Sequence, residues 1–307
     1  MGVAHRLLVA PVVVASLWLL AGLADAQQVE VMWLGHSAFR LVSPTGKVIV
    51  IDPFLKQNPR TPSKYKDLAA LGKVDLILVT HGHPDHIGDL PEHAKATGAT
   101  VVANYELAYN LVALGLLDAN RTIALNKGGS VLPLGAGIKV HRVPAEHSSS
   151  IDLASMKLDA RSGRYANGGV AIGYVIEFEN GYRIYHTGDA DLFGDMALIG
   201  RMYTPDLALI CIGGHFTMDP DAAAYALREM IRPKRAIPMH YGTFPAINRT
   251  PAELKSGLGR TPIEVVEAKR CGSERPSRGR PPSQDPQRSA SRPVRARTGT
   301  SRRLRVS

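Results

Sequence analysis

The chain has 307 residues, 45% of them hydrophobic, and a formal charge of +10. A chain this long buries enough apolar surface to fold without disulfide staples, so its two cysteines need carry no structural duty. The charge invites a nucleic-acid reading, but its location removes it: eleven arginines against Glu274 and Asp285 give residues 270–307 a net +9, while residues 1–269 hold 26 basic and 25 acidic side chains, so no nucleic-acid partner is expected for the core.

Read in chain order, the N-terminus has the three parts of a secretory signal. His5 and Arg6 are a weak basic start, Leu7 to Gly22 is apolar apart from Ser16, and Ala24-Asp25-Ala26 is a small-x-small cleavage pattern. Residues 1–26 are therefore expected to be removed after Ala26, sending the protein to a periplasm or the exterior. Pro11 and the small-residue exit favour cleavage over a retained membrane anchor.

Residues 27–269 form the predicted folded unit. Strand-like runs cover Val29–Leu34, Ala38–Val42 and Lys47–Ile51, followed by a polar, Pro-rich surface loop over Lys56–Lys66. The apolar run Val74–Val79 reads as a buried strand. Asp89 with Pro91 signals a helix to Thr97, then a strand at Thr100–Ala103, a helix at Tyr105–Leu114 and a β-rich stretch over Thr122–Val143. A second alternation follows, with strands at Val170–Phe178, Arg183–His186, Leu207–Ile212 and Ala236–Met239 and helices at Leu192–Arg201 and Ala222–Ile231. Two β-then-α halves predict layers of helix, sheet, sheet and helix. Cys211 sits in an apolar strand and Cys271 in the tail, a poor disulfide pair. From Arg270 the Arg/Ser/Pro/Gly composition predicts a disordered tail.

Chemistry concentrates at one place. His81, His83, Asp85 and His86 fall within six residues, in a loop just past a buried strand. Imidazole and carboxylate donors without thiolate suit Zn, Fe or Mn, and H-x-H-x-D-H is far denser than chance. One short loop cannot surround two ions, so distant partners are needed. His147, Asp189 and His240 each follow a predicted strand and are the candidates.

"THGHPDHIGD", His147, "TGD" at Asp189 and His240 resemble the ordered metal motifs of the metallo-β-lactamase superfamily. More narrowly, "WLGHSAF", "IDPF", "NKGGS", "AEHSSS", "YHTGDADLFGDM", "FTMDP" and "IPMHYGTFP" resemble the UPF0173 metal-dependent hydrolases, relatives of the ascorbate-phosphate lactonases. The resemblance runs from Val29 to Val266. It implies an α/β four-layer αββα sandwich, one divalent ion on His81, His83 and His147, a second on Asp85, His86 and His240, and Asp189 bridging both. Pro84 inside the first motif and Ala190 after Asp189 depart from the usual pattern without removing a ligand.

A pair of zinc ions, with manganese or iron as alternatives, makes water nucleophilic at neutral pH. The expected reaction is hydrolysis of a small lactone, ester or amide. Phosphodiester hydrolysis on the same centre, an iron-dependent oxidoreductase and a non-catalytic metal-binding protein are the rivals. Asp85, Asp189 and His215 are the expected catalytic residues, with His215 touching substrate. His36 either faces the site or stabilises its turn, His186 supports Asp189, and Tyr241 and Thr243 shape the pocket. His93 and His141 read as exposed.

Overall fold

Along β-strands of the first half, side chains alternate between two hydrophobic clusters, as at Leu76, Ile77 and Leu78, and that alternation builds the layers. A computed structural model describes residues 28–161 and 163–267 and the backbone of 304–306. The expected signal at 1–26, Cys271 and most of the tail lie outside the described residues.

The first half supplies β1 (Val29–Gly35), β2 (Ala38–Val42), β3 (Val48–Ile51), β4 (Leu76–Leu78), β5 (Thr100–Asn104) and β6 (Thr122–Leu125). The second supplies β7 (Ser130–Val131), β8 (Lys139–Pro144), the separate hairpin β9 (Ser150–Asp152) and β10 (Tyr165–Asn167), then β11 (Ile172–Glu177), β12 (Arg183–His186), β13 (Leu207–Cys211), β14 (Arg235–Met239) and β15 (Glu264–Val265). β16 (Leu304–Val306) returns to the first sheet. The sheet orders are β16-β1-β2-β3-β4-β5-β6 and β15-β14-β13-β12-β11-β8-β7. The α-helices are α1 (Pro84–Ile87), α2 (Leu90–Thr97), α3 (Tyr105–Ala113), α4 (Asp195–Tyr203), α5 (Pro220–Tyr225) and α6 (Pro251–Leu258), and a π-helical segment over Ala226–Ile231 follows α5.

In β3, Ile49 and Ile51 join a cluster that also holds Val140, Tyr174 and Ile184 of the second sheet. Val48 and Val50 join Leu90, Leu107 and Leu111 of α2 and α3. Helices α4, α5 and α6 cover the far side of the second sheet through Met196, Ala223 and Leu254. The fold is thus the expected four-layer αββα sandwich. Each fully buried Leu, Ile or Val contributes about 1.5–3 kcal/mol. Polar contacts also tie the two sheets: the buried Tyr174 hydroxyl, on β11, lies 2.8 Å from the carbonyl of Val79 and 3.0 Å from that of Val102.

Several local expectations change. Asp89 does not cap α2; its buried carboxylate accepts from the amides of Leu55 and Lys56 at 2.6 and 2.9 Å, because those loop donors have no strand partner. His93 is fully buried, one helical turn from Leu90 on the inner face of α2, and not exposed; His141 is half-buried. The Lys56–Lys66 loop is not all surface, since Asn58 and Tyr65 are buried. The hairpin β9–β10 and helix α6 have no counterpart among the expected elements. Within the expected tail, residues 304–306 pair in parallel with Val29–Val31. An edge strand presents unpaired amides and carbonyls that such a segment satisfies.

Candidate metal centre

Strand direction gathers the site. β1, β3 and β4 run the same way in the first sheet, as do β8, β12 and β14 in the second. His36 follows β1, Asp52 follows β3, and His81, His83, Asp85 and His86 follow β4. His147 follows β8, Asp189 follows β12, and His240 follows β14. Residues up to 204 positions apart therefore meet at one edge of the sandwich.

All seven expected ligands come together. His81, His83 and His147 form one set, His81, His86 and Asp189 another, and Asp85, His86 and His240 a third that also includes His36; within each set the candidate ligand atoms lie within 4.8 Å of one another. One oxygen, Asp189 Oδ2, is shared: it lies 3.3 Å from His86 Nε2, 3.8 Å from His147 Nε2 and 2.8 Å from His240 Nε2.

The residues behind the ligands fix their tautomers. Asp52, buried and with φ of 46°, accepts from the Thr80 amide at 2.8 Å and the Thr80 hydroxyl at 2.7 Å. Having donated there, the Thr80 hydroxyl accepts from His81 Nδ1 at 3.0 Å. His86 Nδ1 donates to Asp52 Oδ2 at 2.9 Å. With Nδ1 held as the donor, both rings turn Nε2 toward the centre and leave it as the nitrogen for a cation, as ligand histidines require. His186 accepts the Gly188 amide at 3.0 Å and donates to the Ser37 carbonyl at 3.1 Å, holding the turn that presents Asp189. The amide of Asp191 bonds the Glu146 carbonyl at 3.0 Å, which docks the His147 loop beside Asp189.

The residues fit divalent cations. His86 Nε2 and His240 Nε2 are buried and make no directed hydrogen bond despite their closeness to Asp189, and a cation satisfies such converging lone pairs. Burial lowers His81 well below the ordinary imidazole value and also lowers His83 and His147, which keeps them neutral donors. Against the upward push of burial, the neighbouring His240 and His86 rings hold Asp189 well below the usual carboxylate range. Asp85, also pushed up by burial, is held below that range by the His36 hydrogen bond and the His86 ring. Burial opposes a charge on His86, but the carboxylates of Asp189 and Asp52 raise it well above its ordinary value.

His215 is not brought in. It lies in a left-handed turn at Gly214 and His215, with φ of 66° and 54°; its ring is exposed, stands 4.3 Å from that of Phe216 and belongs to none of the ligand sets. Tyr241 stacks on Trp33 at 5.3 Å. Phe244, partly exposed, stands edge-on to His36 at 5.7 Å. Cys211 is a buried free thiol under the Asp189 turn, 3.4 Å from the Ala190 carbonyl. The supporting roles of Asp52, Thr80 and Thr243 were missed. Only "IDPF", an acid directly after a buried strand, offered a signal for the first. A cavity of about 1110 Å³ lined by Tyr182, Arg183, Asp206 and Arg235 shares no residue with this cluster.

Fold and ligand sets together define a class. Residues 47–241 match the family model described as Beta-lactamase superfamily domain, and the chain belongs to that superfamily. A solved structure of Igni18, a metallo hydrolase from Ignicoccus hospitalis, is similar at 35% identity and a TM-score of 0.64, covering 77% of this chain and 94% of that one. Within the superfamily the chain falls among the UPF0173 metal-dependent hydrolases. It is 50% identical over 240 residues to a member from Cupriavidus necator, covering 78% of this chain and 82% of the relative. It is 44% identical over 226 residues to one from Rubrobacter xylanophilus, covering 74% and 87%.

Proposed function

We propose that this protein is a two-metal hydrolase, with zinc as the default ion, acting on a small lactone, ester or amide. The observation that carries the reading is the shared Asp189 oxygen, where histidines of both expected ion sets converge. One ion is assigned to His81, His83 and His147 and the other to Asp85, His86 and His240, with Asp189 common to both. Two such ions supply Lewis acidity and water acidic enough to react at neutral pH.

The chain's own residues do the rest. Asp189 offsets the charge of both sites and sets their separation. Asp85 is the one ligand carboxylate with an accessible side chain, 29% exposed. Its Oδ2 is engaged by His36, which leaves Oδ1 for the reaction. That oxygen takes the proton of the attacking water and returns it to the leaving oxygen or nitrogen. The water oxygen bonds to the acyl carbon, the carbon–heteroatom bond breaks, and a lactone yields a hydroxy acid. Export to a periplasm or the exterior belongs to the same proposal, checked by a mature N-terminus at Gln27.

The experiment is metal analysis of purified protein, then turnover of lactone, ester, β-lactam and phosphodiester substrates before and after chelation. The expected result is two ions per chain, loss of acyl hydrolysis on chelation and recovery with zinc or manganese. Full activity in rigorously metal-free protein refutes the reading, and turnover confined to phosphodiesters replaces its substrate class.

A further inference from the structure

His36 stands among the ligands without being one of the expected seven. Its Nε2 lies 2.9 Å from Asp85 Oδ2 and its Nδ1 2.9 Å from Thr243 Oγ1. An ionised carboxylate only accepts, so Nε2 carries the proton and donates; Nδ1 then accepts from the Thr243 hydroxyl. Both nitrogens are engaged, which leaves no lone pair for a cation. The ring is therefore not a fourth ligand, although its Nε2 lies near enough.

The backbone of the same residue reaches a second ligand. The His36 carbonyl accepts the amide of His240 at 3.0 Å and the Trp33 indole at 2.9 Å. The His36 and His240 rings pack with centroids 3.9 Å apart. Both residues hold left-handed backbone, φ of 55° and 54°, which non-glycine residues keep only where surrounding contacts enforce it. Asp85, by contrast, sits on the four-residue helix α1; among the described residues its carboxylate has the His36 hydrogen bond and a longer 3.9 Å approach to His240 Nε2.

We infer that His36 is the positioning residue of the second cation site: its ring, set by Thr243, aims the Asp85 carboxylate, and its carbonyl places His240. The inference rests on the reading of Asp85, His86 and His240 as a cation site. It predicts a defect confined to one ion, because His36 touches none of His81, His83 and His147.

The test uses the full chain, stripped of metal and titrated with Zn²⁺ against a chromophoric chelator, then with Co²⁺ while the visible absorption spectrum is recorded. Wild type is expected to bind two ions. His36→Ala is expected to weaken one of them by about 10–100-fold, the effect typical of losing a group that orients a ligand, and to alter only the second Co²⁺ spectrum. His36→Gln, whose amide can still donate to Asp85, is expected to recover part of the loss. Thr243→Val, which keeps the His36 ring, is expected to shift the same ion in the same direction by less, and it carries the test if His36→Ala does not fold. One ion in wild type overturns the two-ion reading and this inference with it. Two ions in wild type, with unchanged affinities and spectra in the Thr243 and His36 variants, overturn the inference alone. Equal weakening of both ions also overturns it, because the role would then be general to the fold.

Discussion

Asp52→Asn isolates what the groups behind the ligands contribute, since it keeps side-chain shape and removes only acceptor capacity. The carboxylate accepts three hydrogen bonds, from the Thr80 amide, the Thr80 hydroxyl and His86 Nδ1, at 2.7–2.9 Å in a fully buried site. An amide nitrogen on the first oxygen's side would face the Thr80 N–H, leaving a buried donor unsatisfied. On the other side it would face His86 Nδ1, which must then give up its proton and carry it on Nε2, the ligand atom. The first arrangement costs about 1–3 kcal/mol of stability. The second lowers metal affinity by about 10–100-fold, or roughly 1.4–2.7 kcal/mol. The assay pairs urea unfolding of metal-free protein with chelator-competition titration of zinc. Asp52→Asn protein that matches wild type in both refutes the argument that Asp52 sets the His86 tautomer.

Gly188→Ala should destabilise the fold by about 1–3 kcal/mol and lower metal content, because φ is 62° and a Cβ would lie 2.5 Å from the Ile172 carbonyl oxygen; denaturant unfolding with metal analysis checks both. Tyr174→Phe removes the hydroxyl shared by the Val79 and Val102 carbonyls and should cost about 1–3 kcal/mol with metal binding retained, read from the urea midpoint. The hydrogen bond from Arg164 lowers Asp152 from its ordinary 3.8 to about 2. A depressed carboxylate stabilises the folded state above its unfolded value and loses that contribution as pH falls through its folded one, here between about pH 4 and pH 2. Arg164→Ala should return Asp152 toward its ordinary range, measured by carboxyl NMR titration, and an unmoved titration curve counts against the pair.

The clustering of the candidate ligands was legible because coordination chemistry restricts residue type and spacing, and because strands that end at a common edge put His147, Asp189 and His240 directly after apolar runs. The layers followed from β-then-α order. What was not legible acts through space. His36 meets Thr243 across 207 positions and Asp52 meets His86 across 34, and no local pattern distinguishes such a histidine from one that steadies its own turn. His93 looked exposed because a polar residue on a short helix usually is, yet the loop over 55–73 covers it. His215 in "GGHFTMD" also follows a strand at that edge, but it lies on two left-handed residues and joins none of the ligand sets.

The proposed ligands are divided between the sheets: His81, His83, Asp85 and His86 come from the first, His147, Asp189 and His240 from the second. Bound ions would therefore act as cross-links at the rim of the sandwich, in a chain whose described residues contain one free thiol and no disulfide. Binding only the folded form at about a thousandfold above the dissociation constant adds roughly 4 kcal/mol, a large share of a typical domain's stability of about 5–15 kcal/mol. Metal scarcity would thus loosen the seam between the sheets as well as silence the chemistry, making the protein's lifetime a gauge of the free metal around it.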